Sequence, residues 1–238
     1  MSEQRPGSFA ESNHPDARAE SRFKKFHQLS HFKYGDENIA LWHASRAVGH
    51  GNDFFVHRAE GADDSESAVQ IQTDKSGVLI WPSSKLMTSI LLSRKEAGVQ
   101  TYATAIELGS GTGLLGLSVA KLKIAEKVLL TDRDPEAVEL VKQSIAENGL
   151  EAPAVHIYIE RERCNGCGCV DALQLDWCDD AAVYDILSSH PWAPFSVVLA
   201  SDVLYTFGSK RIIEDFVSTS ACLLGWPGTG GCGGGGGG

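Results

Sequence analysis

The stretch Ala105-Ile106-Glu107-Leu108-Gly109-Ser110-Gly111-Thr112-Gly113-Leu114 constrains the fold more than any other part of the chain. An apolar run breaks into three alternating glycines, and a helical apolar pattern resumes after Gly113. This order reads as strand, tight loop and helix. Glycines let the backbone turn sharply and approach a ligand without Cβ clashes. Amides at the N-terminus of the following helix then face that ligand. A loop of this build suits a cofactor that contains adenosine.

The elements beyond the loop repeat one rhythm. Leu114, Leu115, Leu117, Val119 and Leu122 make an amphipathic helix. Lys127 to Asp132 is a short apolar strand that ends in a carboxylate. Asp134 and Pro135 start the next helix as N-cap and N1, and Asn148-Gly149 stops it. Val138, Val141 and Ile145 form its buried stripe. Strand, helix, strand, helix with such connections means right-handed βαβ units and a parallel sheet. The third core strand is placed at Val170–Leu175, and the alternating Val155–Ile159 is read as part of an inserted excursion. A helix follows over Asp179–Ser189, then a buried strand over Phe195–Ala200 that delivers Ser201, Asp202 and Tyr205 at its carboxyl end. The last helix runs roughly from Ser209 to Leu224.

Upstream of the loop, Gly77–Ser84 reads as a buried strand end or an extended lead into a helix. Pro82 keeps Trp81 extended and is tolerated at a helix start. Leu86, Ile90 and Leu91 then offer one apolar face. Residues 1–22 are polar and without periodicity, which predicts disorder. An N-terminal extension occupies 23–76. Its first part is ambiguous, and a hairpin is expected between Asp53–Arg58 and Ala68–Gln72. The core spans 77–224, and the glycine-rich residues 225–238 predict a flexible tail.

A net charge of −10 argues against a nucleic-acid or anionic-membrane surface and fits a basic protein substrate. No apolar run approaches the roughly 20 residues needed to cross a bilayer, and the start carries no signal-peptide pattern. A cytoplasmic or nuclear location follows as the expectation, with mostly reduced thiols. Cys164, Cys167 and Cys169 are too compressed for the paired spacing of a zinc site, so no metal is expected. His43, His50 and His57 lack metal-ligand spacing and read as packed or exposed side chains.

Two cofactors compete for the glycine loop. Gly111, Gly113 and Gly116 satisfy the G-x-G-x-x-G pattern of a nicotinamide or flavin dinucleotide site. Gly109, Gly111 and Gly113 instead give G-x-G-x-G directly off the strand. Asp132 suits ribose hydroxyls in either case. Glu107 discriminates: a carboxylate there repels a pyrophosphate but attracts the ammonium of a methionine moiety. S-adenosylmethionine carries that ammonium and no phosphate.

Glu107-Leu108-Gly109-Ser110-Gly111-Thr112-Gly113 resembles motif I of class I methyltransferases. Four elements in order resemble, more narrowly, the seven-β-strand protein-lysine methyltransferases. They are Trp81 ahead of a helix, the glycine loop, Leu175-Asp176-Trp177, and Asp202-Val203-Leu204-Tyr205. That family includes enzymes acting on calmodulin, translation elongation factors and chaperones. The resemblance covers about residues 77–224 and implies an α/β, Rossmann-like, doubly wound, mostly parallel sheet. It implies that Trp81 packs against S-adenosylmethionine and that Gly109, Ser110 and Gly111 line its methionine side; Glu107 and Gly113 complete the cofactor-binding set. Asp132 would hold the ribose, Asp176 and Trp177 would sit by the adenine, and Ser201 would contribute from the fourth strand. Asp202 and Tyr205 would serve catalysis, Asp202 by orienting an incoming lysine and Tyr205 by closing the pocket or hydrogen-bonding the amine.

The family sheet has seven strands, whereas the glycine tail here follows the helix after the fourth. The fold is therefore expected to be truncated after that helix. A protein-lysine methyltransferase is the leading reading. A non-catalytic protein that keeps the fold to bind a partner, a small-molecule methyltransferase and a nicotinamide-dependent oxidoreductase remain as alternatives.

Overall fold

A computed structural model describes residues 27–44, 76–99, 101–150, 169–190, 192–204 and 210–226. Its centre is the strand predicted from the glycine motif, β3 (Tyr102–Leu108). On one side β3 pairs with β4 (Ala125–Asp132), which pairs in turn with β5 (Cys169–Gln174). On the other side it pairs with the short β6 (Val197–Leu199). All pairings in this sheet are parallel, and the order is β5-β4-β3-β6.

The connections are helices α2 (Leu114–Lys121), α3 (Pro135–Glu147) and α4 (Asp180–Ser189). Helix α1 (Pro82–Glu96) precedes the sheet and α5 (Lys210–Leu223) follows it. Alternate strand residues bury into opposite layers. Ala105, Val128, Leu130 and Ala172 join Leu114, Leu115, Val138 and Val141 in one cluster. Ile106, Leu108 and Leu129 join Val183, Ile186, Phe195 and Leu223 in the other. Both faces of the sheet are covered, as a parallel sheet requires.

The helix ends follow the sequence signals. Asp134 caps α3 by accepting the Glu136 N–H at 2.9 Å, with Pro135 at the first helical position. At its other end Gly149 turns left-handed (φ 63), and the Leu150 N–H reaches back to the Ile145 carbonyl at 3.1 Å. That is a Schellman close. Helix α2 ends the same way but with Lys123 in the left-handed position (φ 53). Lys123→Gly is therefore expected to stabilise the fold by about 0.5–1 kcal/mol, the αL cost to a side chain less the entropy of glycine. A higher urea midpoint at unchanged slope would show it.

Several expectations need correction. A hairpin, β1 (His27–Tyr34) with β2 (Glu37–Ala44), lies where the sequence looked ambiguous. Gly35 at φ 59 opens its two-residue turn. The hairpin expected at 53–72 lies outside the described residues, as do the Val155–Ile159 excursion, Cys164 and Cys167, His50 and His57, and residues 1–22. Leu86 and Ile90 are exposed; α1 instead buries Thr88, with Met87, Leu91 and Leu92 packed on the core. Cys222 is disulfide-bonded, whereas Cys169 and Cys178 are free thiols. Gly225 and Trp226, expected in the tail, close α5 through N–H bonds to the carbonyls of Cys222 and Ala221.

Helix α3 carries the hairpin. The Asn148 side chain accepts the Ala40 N–H at 3.0 Å and donates to the Ala40 carbonyl at 2.6 Å. The Trp42 N–H donates to Ser144 Oγ at 2.9 Å. His43 is a packed core side chain, with Nε2 on Ser30 Oγ at 2.8 Å and Nδ1 on the Ala44 carbonyl at 3.0 Å.

Candidate active site

The chain leaves β3 toward β4 and β5, then returns to place β6 on the opposite side. Loops therefore diverge at the carboxyl ends of β3 and β6, where open α/β sheets bind ligands. A cavity of about 270 Å³ lies there. Apart from Gly113 and Tyr205, every residue singled out from the sequence lines it: Trp81, Glu107, Gly109, Ser110, Gly111, Asp132, Asp176, Trp177, Ser201 and Asp202. Tyr205 lies outside the described residues. Gly113, expected to bind the cofactor, is not in the lining and packs beneath the loop, where a Cβ would meet Val141 at 2.9 Å and Leu130 at 3.0 Å.

Strand pleating explains Glu107. Its neighbours Ile106 and Leu108 face α4 and α5, so Glu107 points the other way, beneath α2. It is only 2% exposed, and its Oε2 accepts the Gly116 N–H at 2.8 Å. Burial pushes its carboxyl from 4.5 up to about 8; the Gly116 bond opposes this and the neighbouring Asp132 charge adds to it. Asp132 is also buried, and burial raises it, against N–H bonds from Asp134 at 2.9 Å and Gly111 at 2.8 Å. The Gly111 bond ties the glycine loop to the end of β4.

The loop's glycines are forced by their surroundings. Gly109 (φ 66) and Gly111 (φ 55) are left-handed. A Cβ on Gly109 would lie 2.8 Å from Val203 Cγ1, and one on Gly111 would lie 3.1 Å from the Gly77 carbonyl oxygen. That carbonyl belongs to a short 3₁₀ turn, Ser76–Val78, which runs into Trp81. The Trp81 indole is 41% exposed and donates to the Ser76 carbonyl at 3.0 Å.

The opposite wall is Asp176 and Trp177. The Trp177 ring meets Phe216 edge-on at 5.0 Å, and its carbonyl accepts the Thr219 hydroxyl at 2.9 Å. Asp176 accepts the Cys178 N–H at 3.3 Å and its thiol at 3.2 Å; that thiol bond is the chief reason the thiol is pushed up. Asp202 is exposed and left-handed (φ 60), a conformation Asp tolerates better than most residues and one often found at functional sites. Ser201 Oγ is buried and, among the described residues, has no hydrogen-bond partner.

Sequence reasoning missed several contributors, among them Leu79, Arg133, Ile212 and Asp215 of the lining, and two bear on the buried acids. Gly116 supplies the amide on Glu107, and a Cβ there would lie 2.6 Å from Glu107 Oε2. Its signal was present as the last glycine of G-x-G-x-x-G, a position that permits close helix–strand packing. Asp134, read only as a cap, lines the cavity and keeps one buried oxygen without a partner among the described residues.

Fold and site together define a Rossmann-like domain of the class I methyltransferase type. The pattern of the family described as "Lysine methyltransferase" matches residues 63–221. The chain belongs to that family. It is 30% identical over 142 residues to the human protein-lysine N-methyltransferase EEF2KMT, covering 59% of this chain and 39% of that protein. It is 25% identical over 170 residues to the calmodulin-lysine N-methyltransferase of Arabidopsis thaliana, covering 71% and 48%. A shorter match, 38% over 64 residues, joins it to the ribosomal protein L11 methyltransferase of Myxococcus xanthus, covering 26% and 22%. The chain thus spans about two-fifths to half of the length of the first two relatives.

Proposed function

We propose that this chain is a protein-lysine methyltransferase that uses S-adenosylmethionine. The observation that carries the proposal is the pair Glu107 and Asp132, buried at the ends of adjacent strands on one cavity with the glycine loop. Glu107 suits an ammonium and Asp132 suits ribose hydroxyls; no phosphate belongs between them. The donor set fits this cofactor in three further ways. The left-handed glycines admit close approach of a ligand to the backbone. Trp177 offers an apolar wall beside Asp176. The Ser201 hydroxyl, without a partner among the described residues, can serve a ligand.

When bound, the cofactor supplies a methyl group on a sulfonium, with a good leaving group built in. The protein's part is alignment and exclusion of water. A lysine acceptor must lose a proton from a reference pKa of roughly 10.4. Asp202 holds the incoming ammonium by charge and, once its proton has passed to solvent water, orients the lone pair of the neutral amine, while Tyr205 closes the pocket or hydrogen-bonds the amine. The relatives' names support a protein acceptor, and the acidic chain suits a basic one. A cytoplasmic site of action, with the nucleus as a second, belongs to the same reading.

Titration of the folded chain with S-adenosylhomocysteine tests this. Micromolar binding is expected. Asp132→Ala should weaken it by roughly 30-fold, because the ribose acceptor and the brace on Gly111 are both lost. No binding by a folded wild-type chain would sink the proposal.

A further inference from the structure

The hairpin His27–Ala44 lies outside the residues matched to the family and contributes no residue to the cavity lining. It nevertheless reaches the site in two steps. Ala44 at the end of β2 shares a small buried cluster with Val78 and Leu140, and Trp42 and Leu79 pack against it. Val78 closes the 3₁₀ turn whose Gly77 carbonyl sets the clearance above Gly111. The same turn is held from its far side by the Trp81 indole.

A three-residue 3₁₀ turn fixes little by its own hydrogen bonds. The turn closes on one backbone bond, Leu79 N–H to the Ser76 carbonyl at 3.2 Å. Its position must come from what Val78 and Leu79 pack against. On one side that is α3, through Leu140 and the close approach of Gly77 to Ala137. On the other it is the hairpin, itself fastened to α3 by the Ala40–Asn148 and Trp42–Ser144 bonds. The turn is wedged between two elements, and one of them is the hairpin.

We propose that the hairpin is a working part of the cofactor site: Trp42 and Ala44, packed with Val78 and Leu79, hold the Ser76–Trp81 wall against the glycine loop. Trp42 is thus a positioning residue that touches no cofactor. The inference rests on the function proposed above. Removing the Trp42 ring leaves Val78 and Leu79 supported, among the described residues, by α3 and by the small Ala44 side chain. The wall then drifts relative to Gly111 and Asp132, and cofactor affinity falls with it.

The test is S-adenosylhomocysteine titration of the full chain carrying Trp42→Ala, Trp42→Phe or Phe32→Ala, with thermal midpoints for each. Phe32 sits on the same hairpin but packs on the main core beneath the Lys85 ammonium at 5.0 Å, in a different cluster from Val78 and Leu79. Trp42→Ala should raise Kd about tenfold, a coupling of the size that packed residues transmit. Trp42→Phe should recover most of the affinity. Phe32→Ala should lower the thermal midpoint and leave Kd within about twofold of wild type, since distant, independent sites do not couple. Should Trp42→Ala fail to fold, Val78→Ala takes its place with the same expectation. An unchanged Kd in the Trp42 or Val78 variant overturns the inference, as does an equal shift in Phe32→Ala at equal loss of stability. Absence of binding in folded wild type would instead overturn the cofactor assignment, and this inference with it.

Discussion

Gly116→Ala is expected to destabilise the fold by about 2 kcal/mol, the balance of overpacking and helix propensity. The new methyl would lie 2.6 Å from Glu107 Oε2 and 2.7 Å from Leu130 Cδ2. Neither neighbour has room to give, since Glu107 is 2% and Leu130 1% exposed. Overpacking of this kind costs about 3 kcal/mol, and alanine returns about 1 kcal/mol in a helix interior. A second loss reaches the site. The displaced carboxylate would give up the Gly116 N–H, so cofactor affinity should fall together with stability. Adding Glu107→Ala to the variant removes one of the two clashes and should recover part of the stability, a non-additivity readable in urea midpoints. Full additivity would show that the strain lies elsewhere.

Stability should also fall as pH rises through the neutral range, because of Glu107. Its carboxyl titrates at 4.5 when exposed and at about 8 in the fold, where burial disfavours the charge. Between those values the native chain holds a proton that the unfolded chain has released. The resulting stabilisation is complete below 4.5 and is lost progressively as pH rises through about 8. Its slope is at most about 1.4 kcal/mol per pH unit. Asp132, raised chiefly by burial, acts in the same direction. Cofactor affinity should have the opposite slope, because an ammonium prefers the ionised carboxylate. Glu107→Gln should flatten both profiles. Urea midpoints and S-adenosylhomocysteine titrations from about pH 5 to about pH 9 would measure them. An undiminished slope in the Gln variant would assign the proton to another group.

The core elements were legible because their periodicity and punctuation agree. Asp134-Pro135 and Asn148-Gly149 bracket α3 in the sequence, and the structure caps it at those residues. The hairpin was not legible for a physical reason. Ile39, Ala40, Leu41, His43 and Ala44 are all buried, so β2 shows none of the alternation that marks a half-exposed strand. The inward face of α1 was misread because its most buried residue is polar. Thr88 satisfies its hydroxyl on the Ser84 carbonyl at 2.8 Å and can be buried. Within the site, the cavity-lining residues singled out from the sequence were found through local motifs. Supports from elsewhere in the chain were not, namely Phe216 and Thr219 behind Trp177 and Gly77 over Gly111. Gly116 behind Glu107 stood in the motif without its role being read.

The Asn148 clamp also bears on how the protein ages. Asparagine followed by glycine is the dipeptide most prone to deamidation, because the unhindered glycine amide can attack the side-chain carbonyl. Here the side chain is committed elsewhere: its NH₂ donates to the carbonyls of Ala40 and Ser144, and its oxygen accepts the Ala40 N–H. The fold thus shields a chemically weak bond by the same contacts that hold the hairpin. Conversion to aspartate would place an acceptor against two carbonyls and release that grip. Were the hairpin to open, Asn148 would be exposed to a reaction that weakens the same joint on reclosure.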